Sequence, residues 1–339
     1  MTDAALELGV FIAKAASIVV LVALLAAWIT ALARRARGPG GGLNVRSLNT
    51  HFERLARSMR RAVLGRKAYL KAEKAARAER KRARAERDRK RVYVLDFRGD
   101  IKASAVASLR EEITAALSMA RPHDEIVVRL ENAGGLVHDH GLAASQLARV
   151  RERGVPLVVA VDKVAASGGY LMASVADRIV AAPFAVVGSI GVIAQLPNFH
   201  RLLDRHGIGL EQAKGGEFKR SVSVFGRNTE QDRDRLQKEV NDVHELFKQH
   251  VRRYRPAVEI DDVATGEHWY GIRAKELRLV DELITSDDYL IEASRSADVY
   301  ALSYTTRKRI GDRVTSLVQA AADRVAGALL RGPGTGPFA

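Results

Sequence analysis

Short β-rich runs separated by stretches of helical periodicity constrain this chain more than any other feature. Val92-Tyr93-Val94-Leu95-Asp96-Phe97 is followed about thirty residues later by Glu125-Ile126-Val127-Val128-Arg129-Leu130. Between them Val106, Leu109, Ile113, Ala116 and Leu117 recur at helical spacing. A second helical pattern, with Leu142, Leu147 and Val150, leads to a third run at Pro156 to Val161. A fourth run, Arg178 to Ala182, comes after a short helix that begins beyond Ser167. Parallel strands need a long crossover, and a helix is the usual one. Repetition at this interval predicts right-handed crossovers onto a mainly parallel sheet, an α/β fold. Thr229 to Arg255 reads as a long charged helix with Leu236, Val240, Val243 and Phe247 on one stripe. A further amphipathic helix is expected over Val314 to Leu330.

Ahead of Val92 the texture is different. Ala15 to Ala33 is 19 residues without a charge. As a helix it would span roughly 28 Å, close to the hydrocarbon thickness of a bilayer. Asp3 and Glu7 precede it with no Lys or Arg among the first nine residues, which favours an uncleaved anchor over a signal peptide. Arg34, Arg35, Arg37 and Arg46 come directly after it, and by the positive-inside rule they place the bulk of the chain in the cytoplasm. Gly38-Pro39-Gly40-Gly41-Gly42 then separates the anchor from the rest of the chain. From Tyr69 to Arg91 the chain reads as a solvated helix or stalk with no apolar face to bury.

The formal charge of +15 resembles that of a nucleic-acid binder until it is mapped. Arg34 to Arg91 holds 21 Lys/Arg against 5 Asp/Glu, a local +16, so the rest of the chain sums to about −1. The segment lacks interleaved aromatics, and its expected partner is anionic lipid rather than nucleic acid. There are no cysteines, which excludes disulfides, thiolate catalysis and Cys-based zinc sites. The expected organisation is an anchor at 1–33, a basic stalk at 34–91, a catalytic domain at 92–300 and a C-terminal helix and tail at 301–339.

Four small-residue segments could carry chemistry. Val164-Ala165-Ala166-Ser167-Gly168-Gly169-Tyr170 sits where a buried strand hands over to a helix, so the Ser167 hydroxyl and the Gly168 amide could face a substrate. Taken alone, Ser-Gly-Gly is more often a cap and a turn. Glu131-Asn132-Ala133-Gly134-Gly135 comes after the second strand and could lay backbone amides along an open surface, or form an ordinary turn. Gly188-Ser189-Ile190-Gly191 succeeds another strand. Lys219 stands after Gly215-Gly216-Glu217-Phe218 and before Arg220; burial and that neighbouring cation would both favour a neutral amine able to act as a base. His138-Asp139-His140 has metal-like spacing but no third ligand cluster, and reads as a solvated loop. His268, in Gly266-Glu267-His268-Trp269-Tyr270-Gly271, is the best alternative base. No P-loop pattern is present.

Taken together, these segments resemble the signal peptide peptidase A family of serine proteases. The match runs from about Val92 to Thr305 and rests on Asp162 to Tyr170, Ala182 to Val192 and Ala264 to Gly271. The resemblance implies a ClpP/crotonase-like α/β core of repeated ββα/βαβ units behind one transmembrane helix. It also implies a Ser-Lys dyad: Ser167 as nucleophile, Lys219 as general base and Ser189 orienting the lysine. The oxyanion hole would come from the Gly168 amide and one amide of the Gly134-Gly135 pair. Relatives usually carry Ser-Pro where Asn132-Ala133 stand here, so the second donor is open. No cofactor or metal is implied. The implied partners are extended, hydrophobic peptide substrates and further copies of the chain in a ring, with Lys219 reaching Ser167 of a neighbour. The implied location is a bacterial inner membrane, crossed once. Two rivals share the fold: a crotonase-type acyl-CoA enzyme, for which the Ser167 motif offers no acidic base, and a catalytically silent membrane scaffold.

Overall fold

The computed structural model describes residues 41–85, 88–213, 215–216 and 222–305. The apolar segment 15–33 and the helix expected over 314–330 lie outside them. No helix among the described residues is long and apolar enough to cross a membrane.

The chain opens with β1 (Gly42–Ser47), α1 (Leu48–Val63) and α2 (Arg66–Ala85). Next is the alternating stretch of β2 (Arg91–Arg98), α3 (Val106–Leu117), β3 (Glu125–Glu131), α4 (Val137–Glu152) and β4 (Leu157–Val161). Then come β5 (Val164–Ala166), α5 (Gly168–Ala173), β6 (Arg178–Ala181), β7 (Val186–Gly188) and α6 (His200–Arg205). The last described part holds α7 (Glu230–Tyr254), α8 (Ile260–Val263), β8 (His268–Tyr270), α9 (Gly271–Glu276), β9 (Glu282–Leu283), α10 (Ser286–Ser296) and β10 (Asp298–Thr305).

These elements build the mixed α/β fold with a mainly parallel sheet that the strand spacing predicts. Seven strands run in the order β1-β10-β2-β3-β4-β6-β9. Every pairing from β10 across to β9 is parallel. Strands covered on both faces read as near-continuous apolar runs, and the alternation within each run sorts the two sides. Leu95, Phe97, Ile126, Val128, Leu157 and Val159 pack into one core with α3, α4 and α5. Val94, Val127, Val158, Val180 and Val299 pack the other way, with Leu48 and Leu290.

The sheet domain begins well ahead of the Val92 boundary expected from sequence texture. β1 lies beside β10 at the sheet edge, and Leu48 of α1 is buried in the second core. Asn49 fixes the junction: its side chain donates to the Ser294 and Ala297 carbonyls (3.0 and 2.9 Å) and accepts from the Val299 amide (2.7 Å). Leu48, Phe52 and one amide dock this helix, a signal too sparse for periodicity to register.

A second, three-stranded sheet, β5-β7-β8, carries the loops of interest. β5 and β7 are parallel, β7 and β8 antiparallel. The end of β3 is tied to it by a parallel bridge between Asn132 and Ala165. This bridge brings the loop after β3 alongside the turn after β5.

Candidate active site

Ser167 stands where β5 ends and α5 begins. The register of β5 on β7 pairs Ala166 with Gly188, and the Ser167 amide extends it by donating to the Gly188 carbonyl (2.8 Å). The chain then turns sharply, with Ser167 at φ 51° and ψ −121°. A side-chain-bearing residue in that region costs on the order of 1–3 kcal/mol, which the surrounding packing must supply. The serine is half-buried, and its hydroxyl has no hydrogen-bond partner among the described residues. It is presented by the backbone rather than used as a helix cap.

The short helix behind it is firmly held. Tyr170 is fully buried and donates from its hydroxyl to the Leu279 carbonyl (3.1 Å); burial pushes its phenol well above the ordinary range. His250 of α7 lies with Nε2 3.0 Å from the Leu171 carbonyl, and burial lowers its pKa. Gly169 is pressed against β3's end: a Cβ there would lie 2.1 Å from the Asn132 carbonyl oxygen, a backbone atom that cannot move aside.

The loop after β3 meets Ser167 from the other side. Gly134 has φ +95°, and a Cβ on it would stand 2.7 Å from Ser167 Cβ and 2.9 Å from the Gly168 nitrogen. The Gly134 and Gly168 backbones are therefore neighbours across the serine. Of the two glycine amides expected as oxyanion donors in this loop, that of Gly134 is already committed. It donates to Asn132 Oδ1 at 2.9 Å. The Gly135 and Gly168 amides have no hydrogen-bond partner among the described residues. Turning that amide to a new acceptor would first cost its bond to the buried Asn132 carboxamide.

Asn132 organises this corner, a role that the sequence signalled only as a departure from the usual Ser-Pro. It is 1% exposed. Its backbone accepts from the Ala166 amide (3.0 Å) and donates to the Val164 carbonyl (2.9 Å), and its Nδ2 donates to Met172 Sδ (3.4 Å). Oδ1 also lies 3.2 Å from Nε2 of His140, whose Nδ1 is 2.9 Å from the Leu136 carbonyl. The His138-Asp139-His140 stretch is thus not a solvated loop. It forms the first turn of α4, with His140 fully buried and packed against Gly168 and His138 exposed. Both His140 ring nitrogens face groups other than Ser167, so it is not placed as a base. Among the described residues no cluster of His, Asp or Glu suits a metal.

Ser189 is the first residue past β7, as Ser167 is the first past β5, and the register of the two parallel strands ends on the pair Ala166–Gly188 just before them. Ser189 is also left-handed, with φ 52°. Its amide donates to the Glu267 carbonyl (2.7 Å) and its hydroxyl to the Gly266 carbonyl (3.4 Å). His268 pairs in register with Gly188, one residue short of Ser189, with an exposed side chain that bonds nothing at Ser167. The structure therefore gathers Ser167, Gly168, Gly134, Gly135 and Ser189 in one corner, while Lys219 lies outside the described residues.

The model of peptidase family S49, N-terminal, matches residues 3–147, and that of peptidase family S49 matches residues 149–300. A Haemophilus influenzae protein named "Probable protease SohB" is 44% identical over 315 residues, covering 89% of each chain. Its namesake in Buchnera aphidicola subsp. Acyrthosiphon pisum is 50% identical over 229 residues, covering 68% of each. Among solved structures, a mutant 1510-N membrane-bound stomatin-specific protease with a substrate peptide superposes at TM-score 0.43 and 12% identity, covering 68% of this chain and 98% of that one.

Proposed function

The chain belongs to peptidase family S49, and from that premise we propose that it cleaves peptide bonds through a Ser167–Lys219 dyad. The observation that carries this reading is the state of Ser167. The residue is half-buried and held in a left-handed turn, and among the described residues its hydroxyl and the Gly168 and Gly135 amides have no hydrogen-bond partner. A nucleophile needs that freedom, whereas a structural serine in a strained turn would use its hydroxyl to relieve the strain.

In the proposed reaction the neutral Lys219 amine accepts the Ser167 proton as Oγ attacks the substrate carbonyl. The oxyanion is held by the amides of Gly168 and Gly135, with Gly134 kept out of that role by its bond to Asn132. The leaving amine takes the proton from Lys219. Water then enters by the same base and releases the acyl group from Ser167. Ser189 orients the lysine from the neighbouring strand. Substrates are extended and hydrophobic, a reading supported by the exposed Ile193, Leu196, Leu210 and Phe225 on the segment between Ser189 and α7. Residues 15–33 serve as a single-pass anchor in a bacterial inner membrane, supported by their length without charge.

A fluorophosphonate probe tests the serine. Labelling that disappears in Ser167→Ala is expected, and labelling that persists refutes the assignment. Absence of labelling in a folded, peptide-cleaving sample would turn the reading to another nucleophile. Lys219→Ala is expected to abolish cleavage while leaving the thermal midpoint unchanged; if cleavage survives, His268 is the next base to test.

A further inference from the structure

The α1–α2 hairpin has one face held by the sheet domain and another with nothing on it. Leu48 is buried and Phe52 packs against the second core. Further along α1, Leu55, Met59 and Val63 are 56%, 64% and 71% exposed. A spacing of four places them in one stripe along the helix. α2 returns antiparallel, clasped by Arg57–Glu73 (3.3 Å) and Arg80–Glu53 (3.5 Å). Those pairs absorb two of the three acidic residues in a hairpin that holds thirteen Lys/Arg, a net of +10. Exposed Arg54, Arg61, Lys74, Arg77 and Lys81 make no ion pair among the described residues. An open groove of about 710 Å³ runs along α2, lined by Arg57, Lys74, Arg77, Arg80 and Lys81 around Glu73.

We propose that this hairpin docks on an anionic lipid bilayer, with Leu55, Met59 and Val63 at the acyl boundary and the flanking cations on headgroup phosphates. An interfacial helix has this composition: a narrow apolar stripe within a strongly basic surface. The alternatives fit less well. A second copy would bring +10 against +10. A nucleic acid would satisfy the cations but leave three large apolar side chains in water. Reach is sufficient, because only residues 34–41 separate the apolar segment from β1, at most roughly 28 Å of extended chain. The proposal rests on the proposed membrane anchor for proximity alone, and its test separates the two.

The chain has no cysteine, so Met59→Cys can carry a single environment-sensitive fluorophore in the full-length protein. Reconstitution into phosphatidylcholine vesicles, with and without phosphatidylglycerol, reports both levels: flotation reads the anchor and the label reads the hairpin. The expected result is a blue shift and reduced quencher access only in the anionic vesicles. Combined Lys74→Glu, Arg77→Glu and Lys81→Glu should lower label partition by at least roughly a hundredfold, taking each basic residue's contribution as about fivefold. Lys102→Glu, Arg110→Glu and Lys275→Glu, an equal charge change elsewhere, should not. Unaltered flotation with no difference between lipids refutes hairpin docking and leaves the anchor standing. Label shielding in lipid-free detergent that rises with protein concentration, or on adding an RNA oligonucleotide, also overturns it, in favour of self-association or nucleic acid.

Discussion

Replacing Asn132 with alanine separates the geometry of the serine corner from its chemistry. The substitution leaves the backbone bridge to Val164 and Ala166 in place, so the fold should persist. It removes the acceptor for the Gly134 amide and the polar neighbour of His140 Nε2, together with the donor to Met172. Gly134 is half-buried and can turn to water, but His140 is fully buried and cannot. One stranded buried nitrogen costs about 1–3 kcal/mol, and the lost net bonds add about 1 kcal/mol, for a destabilisation of roughly 2–4 kcal/mol. The effect on turnover should be distinct. Once Gly134 is free, the loop no longer fixes the adjacent Gly135 amide, the proposed second donor. Losing one oxyanion donor outright costs on the order of 100- to 1000-fold in kcat. Partial misplacement should cost about 10- to 100-fold, with KM changed less than about threefold, because the amide acts on the developing charge rather than on the bound peptide. Steady-state peptide hydrolysis and a thermal melt on the same sample decide it. Destabilisation with kcat intact would refute the reasoning that Asn132, through the Gly134 amide, holds the second oxyanion donor in place.

Other outcomes derive from the same contacts. Ser167→Gly should abolish cleavage yet raise stability by about 1 kcal/mol, since φ 51°, ψ −121° suits glycine, whereas Ser167→Ala should abolish cleavage without that gain; denaturant titration distinguishes them. Gly169→Ala should destabilise by at least roughly 3 kcal/mol, or prevent folding, because its Cβ would meet the Asn132 carbonyl; soluble yield and thermal midpoint report this. His250 has a folded-state pKa lowered by burial, so its contribution is fully present above its unfolded value near 6.5 and is lost as pH falls below it. The thermal midpoint should drop as pH falls below about 6.5, and His250→Gln should flatten that slope.

Particular residues show what could be read in advance. The runs beginning at Val92, Glu125, Pro156 and Arg178 became β2, β3, β4 and β6 within a residue or two, because a strand covered on both faces must be apolar almost throughout. Thr229 and Asp232 form the capping box that starts α7, a bond pattern that four residues of local sequence suffice to specify. Docking of α1 was not legible, since it depends on Leu48 and Asn49 meeting residues some 245 positions away.

The same division runs through the serine corner. Sequence by itself determined the alternating α/β architecture, the local concentration of positive charge and the candidate serine with its glycines, because each is set by neighbours along the chain. Only the tertiary structure decided that Asn132 bridges Ala165 and meets His140, that His140 is buried against Gly168, and that β5 and β7 end in register on the pair Ala166–Gly188. Those relations join β3, α4, β5 and β7, and a hydrogen bond between segments exists only once the sheets have set their register.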